Sequence, residues 1–341
     1  MRTTIRDVAE RAGVSAMAVS VVINGAGQNV TISQEKAERI RRAARELRYQ
    51  PNHLARSFRT QKTGQVAVVF QHLGRLGQEH PYHSLILNGV MEALFPRGYT
   101  LSLCPRMVNA GEPGFISDGR FDGVLWCRPD FTEASVEEIQ EATIPVVMMH
   151  APPGMAPGVP TFCADNEGAM CRVVDHLKGL GHERLAFAID LWSVKTVEGQ
   201  VRWKALTDAA AQAGLPSPDL LILGDHGILA RYGEVAAPHT ALVCFSDELA
   251  GFVLGSLERF GVSVPRDVSV VGFDSSAFCD STRPRLTSVN QPVEHMAFAA
   301  TTHLLTLIHE VEAGLPKSPV ASSIYDCGLD VRESTAPPRT H

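Results

Sequence analysis

From Thr63 onward the chain alternates short apolar runs with helix-like stretches, and no other feature constrains the fold as strongly. The runs are "GQVAVVF", "GYTLSLC", "RFDGVLWCRP" and "IPVVMMH", then "PTFCADN", "RLAFAID", "DLLILGD", "TALVCFSD" and "VSVVGFD". Amphipathic stretches near 83–95, 167–180, 198–213 and 248–260 separate them. A short apolar run bounded by turn formers reads as a strand buried on both faces. Strands that alternate with helices pair in parallel, because each helix carries the chain back across the sheet. Two such series predict two Rossmann-like lobes with a cleft between them. In open sheets of this kind a ligand sits at the carboxyl ends of the strands.

A length of 341 residues suits two or three domains. The chain has 45% hydrophobic and 20% charged residues, as a soluble globular protein does. No apolar run reaches the roughly 18 residues that a membrane-spanning helix needs. The opening "MRTTIRDVAE" lacks the apolar core of a signal peptide, so a cytoplasmic location without a membrane partner is expected. The 7 cysteines are scattered without a C-x-x-C, which fits reduced thiols rather than a zinc site or a disulfide framework. Nucleophile-elbow, Walker and H-E-x-x-H patterns are missing ("HERLA" has Ala at the second His), and "GAGQNV" follows no strand. Neither an enzyme nor a cofactor is expected.

The net charge of −6 hides a strong division. Residues 1–62 hold 12 Lys and Arg against 5 Asp and Glu, a net of +7, whereas the remainder carries −13. A small basic head on an acidic body is an electrostatic footprint of nucleic-acid binding. Within the head, Ile5, Val8, Ala9 and Ala12 repeat at helical spacing. Gly13 suits a tight turn, Ser15 an N-cap, and Asn24-Gly25 a stop. A third helix starts after Ser33, with Ala37, Ile40, Ala44 and Leu47 inside and arginines mostly outside. On the second helix Val19, Val22 and Ile23 share one face, and Ala16, Met17, Ser20 and Val21 the other. A helix apolar all round needs cover on every side. Two short neighbours cannot provide it, so the second face is expected to meet something. After Pro51, His53–Arg59 reads as a short basic helix, marginal without a partner surface.

"TIRDVAERAGVSAMAVSVVING" and "YQPNHLARSFR" resemble the lactose-repressor (LacI/GalR) family of bacterial transcription regulators, and the likeness runs from Thr4 to Thr335. The resemblance implies that Thr4, Ser15, Ser20 and Asn24 hold the DNA backbone while Ala16, Met17 and Val21 face base edges. It makes 52–59 a hinge helix, paired in the minor groove of a dimer's operator, with Asn52 and Arg56 beside the DNA. Ala55 would allow the two hinge helices to approach, and Phe58, where the family usually has Leu, would wedge into a base step. A core aromatic at a domain junction is the alternative for Phe58. Many members carry an Arg at the Val21 position that can grip guanine, and Val21 cannot. The loop "NGAGQNVTI" is also about three residues longer than the family's pattern leads one to expect.

"HPYHSLILNGVMEAL", "ADNEGAMCRVVDHLKGLGHERLAF", "VPRDVSVVGFD" and "PRLTSVNQP" resemble the family's periplasmic-binding-protein-like effector domain. The expected class is therefore a small all-α helix-turn-helix head plus a two-lobed α/β body. Head, hinge and body would span 1–50, 51–62 and 63–335, with a tail at 336–341. By resemblance the chain crosses between lobes near 162, 290 and 320, giving an N-lobe of 63–161 plus 291–319 and a C-lobe of 162–290 plus 320–335. The strand ends offer Arg128, His150, Asp190, Asp247 and Asp274 to a polar ligand, and an Asp can accept two hydroxyl hydrogens. Family positions add His80, Tyr82 and Ser246. Asp247 reads equally as a helix cap, whereas Asp274 reads as a ligand group ahead of a turn cap. Asp165 reads as ordering the start of the "ADNEG" helix. Relatives usually place an effector-gripping Arg where this chain has Glu198, with Arg202 one turn on as a substitute. A cleft-facing Glu198 points to a neutral polyol or a cation rather than an anion. Trp192 and Trp203 offer an aromatic platform for a sugar face, with a core role as the alternative.

The expected function is a ligand-responsive repressor that binds a palindromic double-stranded operator as a homodimer, with a sugar-like effector in the cleft, in the bacterial nucleoid. An enzyme or a transport binding protein with an appended head are the alternatives. The final "VRESTAPPRTH" carries no heptad helix, so a dimer is expected rather than a coiled-coil tetramer. Selection from random duplex DNA is predicted to return a half-site with A·T pairs under Met17 and Val21, read through thymine methyls. G·C as the strongest pairs at those positions would show this reading of the two side chains to be wrong.

Overall fold

The computed structural model describes residues 3–24, 32–51, 57, 62–70, 81–104, 116–128, 131, 133–224, 239–316, 319–320 and 322–339. The chain forms two compact units, Met1–Thr63 and Gly64–His341. In the first unit, helices α1 (Ile5–Ala12), α2 (Ala16–Asn24) and α3 (Gln34–Glu46) enclose a small core. Thr4 opens α1 with a capping box, its hydroxyl accepting from the Asp7 amide while Asp7 accepts from the Thr4 amide. Gly13 ends α1 at φ 62°, a conformation costly for any residue with a Cβ. Ser15 caps α2 by accepting from the Ala18 amide. Val8, Ala9, Ala12, Val19, Ile40, Ala43 and Ala44 form the buried centre.

The second unit holds two six-stranded sheets. The first contains β1 (Gln65–Val69), β2 (Thr100–Cys104), β3 (Gly123–Trp126), β4 (Val146–Met149) and β5 (Thr161–Ala164), all parallel. Helices α4 (Pro81–Leu94) and α5 (Glu133–Gln140) fall between these strands. The second sheet contains β6 (Leu185–Asp190), β7 (Asp219–Leu223), β8 (Ala241–Cys244), β9 (Ser269–Asp274) and β10 (Thr287–Asn290). Its helices are α6 (Asn166–Gly179), α7 (Val197–Gln212) and α8 (Asp247–Arg259). Long α9 (Val293–Ala313) then returns to the first lobe, where it packs with α4 in one core around Ile86, Val90, Leu125, Met296 and Leu304. The strands β11 (Ser323–Tyr325) and β12 (Gly328–Asp330) complete one sheet each. β11 joins β5 in parallel, and β12 runs antiparallel to β10.

The sheet orders are β11-β5-β4-β3-β1-β2 and β12-β10-β9-β8-β6-β7. In each, the order reverses beside the first strand of its series, and that reversal opens a crevice at the carboxyl ends. Two of the expected crossings, and the start of the tail, shift. β5 pairs with β4, so residues 162–164 belong to the first lobe rather than the second, and the chain crosses after Ala164. Residues 323–325 likewise join the first sheet, which moves the last crossing to the link between Tyr325 and Gly328. Residues 333–336, the last of which begins the expected tail, are stitched onto the second sheet. The Val270 amide donates to the Ser334 carbonyl, and the Ala336 amide to Ser269 Oγ. Buried His182 Nε2 meets the Ala336 carbonyl at 2.9 Å.

The α4–α9 contact depends on Gly89, where an added Cβ would lie 2.1 Å from the Glu294 carbonyl oxygen and 2.8 Å from the Phe298 amide. Both neighbours are backbone and cannot swing away. At Gly179, in the last turn of α6, an added Cβ meets nothing within 4 Å. Gly89→Ala is therefore expected to cost about 2 kcal/mol or more. Gly179→Ala should stabilise by roughly 0.5–1 kcal/mol through reduced chain entropy. Urea unfolding of the two variants checks both signs.

Candidate functional site: a polar cluster between two lobes and a helix-turn-helix face

The helix-turn-helix face is built by α2. Met17 is 70% exposed, an unusual position for a large apolar side chain. Val21 and Ser20 are half-buried and lie outside the head's core, whereas Val19 is fully buried and Val22 and Ile23 pack against it. Ala16 departs from the presented face: it packs partly against the same core, as does Ala18. Thr4 and Ser15 are exposed, each with its hydroxyl at a helix start, and Asn24 is the last residue of α2. Asn52, Ala55, Arg56, Phe58 and His80 lie outside the described residues.

In the second unit, groups from both lobes converge. Tyr82, in the first turn of α4, brings its hydroxyl 3.1 Å from both ring nitrogens of His150, just beyond β4. His150 Nδ1 stands 3.9 Å from Glu198 Oε1 in the first turn of α7, so the two lobes meet here. Thr196 caps that turn by accepting from the Gly199 amide. Asp274 ends β9, with its Oδ1 accepting from Gln291 Nε2 at 2.6 Å. Gln291 is 3% exposed, and its Oε1 has no hydrogen-bond partner among the described residues. Burial drives the electrostatics of the cluster. It holds the His150 imidazole below its ordinary value, opposed by Glu198 and assisted by Arg202. It pushes the Asp274 carboxyl well above the usual carboxylate range, an effect that nearby Asp247 reinforces. The Tyr82 phenol is raised for the same reason, with the Glu198 charge second. The cluster therefore presents an imidazole and a phenol that favour their neutral forms and an Asp274 carboxyl reluctant to ionise.

Arg202 is 2% exposed and lies at the centre of this arrangement. Its Nε donates to Asn166 Oδ1 at 3.1 Å, Nη1 to the Phe245 carbonyl at 2.7 Å and Nη2 to Glu198 Oε1 at 2.5 Å. The guanidinium also lies 3.7 Å from the Phe273 ring centroid and 4.8 Å from that of Phe245. With two rings against it and every nitrogen engaged, Arg202 acts as a strut and not as the anion clamp anticipated from its spacing. Glu198 correspondingly serves Arg202 first.

Other anticipated ligand groups have structural work. Asp247 is 2% exposed and accepts from the Ser276 amide, Ser276 Oγ, Cys279 Sγ and Ser288 Oγ. That saturated hub corrects its assignment to the effector. Nor does it cap α8, which Ser246 does by accepting from the Leu249 amide. Asp190 Oδ1 accepts from the Trp192 and Ser193 amides and so fixes the turn after β6. Trp192 stands on that turn, 39% exposed. Trp203 belongs to the second lobe's core, 5.9 Å from the Phe187 ring centroid, and offers no platform. Half-buried Arg128 lies over the Trp126 ring at 5.8 Å. Asp165 caps α6, accepting from the Gly168 amide. Asn166, Phe245, Phe273 and Gln291 were missed. Gln291 alone left a trace, as the polar residue after the strand "TSVN".

Comparison with known proteins adds two family matches. Residues 4–52 match the model for bacterial regulatory proteins of the lacI family, and residues 174–335 match that for a periplasmic binding protein-like domain. The transcriptional regulator CelR of Thermobifida fusca is 31% identical, over 98% of each chain. Catabolite control protein A of Priestia megaterium is 28% identical over 98% of this chain and 100% of its own. Among solved structures, a CelR–cellobiose complex aligns with a TM-score of 0.69 at 28% identity, covering 98% of this chain and 100% of that one. A Lac repressor dimer bound to operator and the anti-inducer ONPF aligns at 0.82 with 20% identity and the same coverage, a likeness of fold.

Removing one member of a buried ion pair leaves a buried charge, whereas replacing both with apolar groups of similar volume is far milder. Glu198→Leu is expected to destabilise by about 3 kcal/mol or more. Adding Arg202→Met to it should recover most of that loss. A double variant as unstable as the sum of the two single variants in urea unfolding would contradict the strut.

Proposed function

Because the chain belongs to the lacI family of bacterial regulatory proteins, we propose that it represses transcription as a homodimer on a palindromic operator and is controlled by a neutral sugar in the interlobe cleft. The observation that carries this reading is the meeting of Tyr82, His150, Glu198 and Asp274, drawn from two lobes into one buried polar cluster on a chain whose head exposes Met17. Residues 1–50 form the reading head, 51–62 the hinge, in which Asn52, Ala55, Arg56 and Phe58 engage the minor groove, and 63–335 the effector body. Met17 and Val21 meet base edges, with Ala16 at their margin. Thr4, Ser15, Ser20 and Asn24 meet phosphates, which position a protein without specifying sequence.

A neutral ligand follows from the charge arrangement. Arg202 has every nitrogen engaged by Asn166, Phe245 and Glu198, so its charge is not available to an anion. Hydroxyl groups suit what is left, because Asp274, the Gln291 carbonyl, His150 and Tyr82 can accept from or donate to them. The relative CelR has been solved with cellobiose, a neutral sugar. Arg128, Asp190 and Trp192 border the strand ends, and His80 belongs with them by family position. Such a protein works in the bacterial cytoplasm at the nucleoid, needs no cofactor and catalyses nothing. Among the described residues no helix is long and apolar enough to cross a membrane.

The test uses the full chain. Operator DNA selected from a random pool is titrated at increasing salt, and a steep linear fall of log affinity with log salt is expected. Cellobiose, glucose and glucuronate are then compared by thermal shift. A neutral sugar should raise the melting temperature, as a ligand at about 100 times its Kd adds about 2.7 kcal/mol to stability. Glucuronate should not. Binding of glucuronate alone, or DNA affinity indifferent to salt, would sink the reading.

A further inference from the structure

Asp274 and Ser275 are consecutive non-glycine residues with positive φ, at 120° and 48°. Such a corner persists only where its surroundings over-determine it, and strained pairs of this kind concentrate at switching sites. The surroundings here are specific. The Ser275 amide donates to Ser288 Oγ on β10 at 3.0 Å, and Ser275 Oγ donates to Asp330 Oδ2 on β12 at 2.6 Å. Arg332 Nη2 donates to Ser275 Oγ at 3.0 Å, and Asn290 Nδ2 to the same Asp330 oxygen at 3.0 Å. One residue earlier, Gln291 Nε2 grips Asp274 Oδ1 at 2.6 Å. One residue later, the Ser276 amide and hydroxyl hold Asp247. The chain leaves the second sheet for the first just after β10 and returns at β12. The corner that carries the buried Asp274 carboxyl is thus hydrogen-bonded to both strands that border those crossings.

We infer that Ser275 is a positioning residue that couples effector occupancy to lobe arrangement: it ties the Asp274 corner to the crossing strands through the Ser275–Asp330–Asn290 hydrogen-bond chain. This rests on the proposed sugar-controlled repression. A sugar hydroxyl that engages Asp274 competes with Gln291 for the carboxyl and draws on the corner. β10 and β12 already share a ladder, and the corner's ties to both let a pull on Asp274 bear on each crossing strand directly. Without the Ser275 hydroxyl the sugar still finds Asp274, but the direct tie to Asp330 is gone and the pull reaches β12 only through its ladder with β10. The ligand then loses much of its preference for one lobe arrangement, and equal affinity for two states shifts neither.

Ser275→Gly isolates the hydroxyl, since glycine adopts the positive φ without strain. Asp330→Asn is the conservative control, because its amide oxygen still accepts from Ser275 and Asn290. Native, S275G and D330N chains are each bound to the selected operator and titrated with cellobiose and glucose, and sugar affinity is measured separately by calorimetry. S275G is expected to bind sugar within threefold of native yet to show at least a tenfold smaller sugar-induced change in operator affinity. D330N should stay within threefold of native in both. If S275G couples as strongly as native, or loses sugar binding and coupling in equal measure, the inference is overturned while the repressor reading stands. If the native operator complex ignores both sugars, the functional reading fails and the inference falls with it.

Discussion

The second unit is arranged around a cation taken out of water. An unpaired guanidinium buried to 2% exposure would cost several kcal/mol, so its surroundings are dictated by the need to satisfy it. The first turn of α7 brings Glu198 within reach, one helical turn before Arg202. The crossing after β5 delivers Asn166, the end of β8 turns its Phe245 carbonyl inward, and β9 supplies the Phe273 face. Four separate segments are thus fixed by one side chain. What stands beside them, including His150 across the cleft, inherits that precision. The same network commits the Arg202 charge within the protein.

Much of the architecture was legible because strands buried on both faces read as continuous apolar runs. "AFAI", "ALVC" and "SVVGF" correspond to β6, β8 and β9, and Ser15 and Ser33 announced the starts of the head's second and third helices. The crossings were less legible. β5, β11 and β12 are three or four residues long, and a strand that short takes its partner from the surrounding sheet rather than from its own pattern.

The site was legible only in outline. Strand-end carboxylates announce themselves by position, but position does not tell a free group from a saturated one. Asp247 and Asp274 end or follow neighbouring strands and look alike in sequence. Asp247 is consumed by Ser276, Cys279 and Ser288, residues 29 to 41 positions away, while Asp274 keeps one contact to Gln291. The same blindness made Arg202 resemble a ligand clamp and Trp203 a stacking platform. Phe245 and Phe273, which cover the guanidinium, carry no signal beyond strand membership. In the head, Ala16 was placed by a helical wheel that cannot register how steeply α1 crosses α2.

The stitching of residues 323–336 has an implication for biosynthesis. β11 closes an edge of the first sheet, β12 an edge of the second, and Ser334 and Ala336 bind the strand that carries Asp274. Neither lobe can therefore finish on the ribosome while these residues are still inside the exit tunnel. The head, made of contiguous residues, is free to fold as soon as it emerges. A DNA-reading module thus exists before the body that governs it, and the body matures as a whole only after both lobes have received their edges.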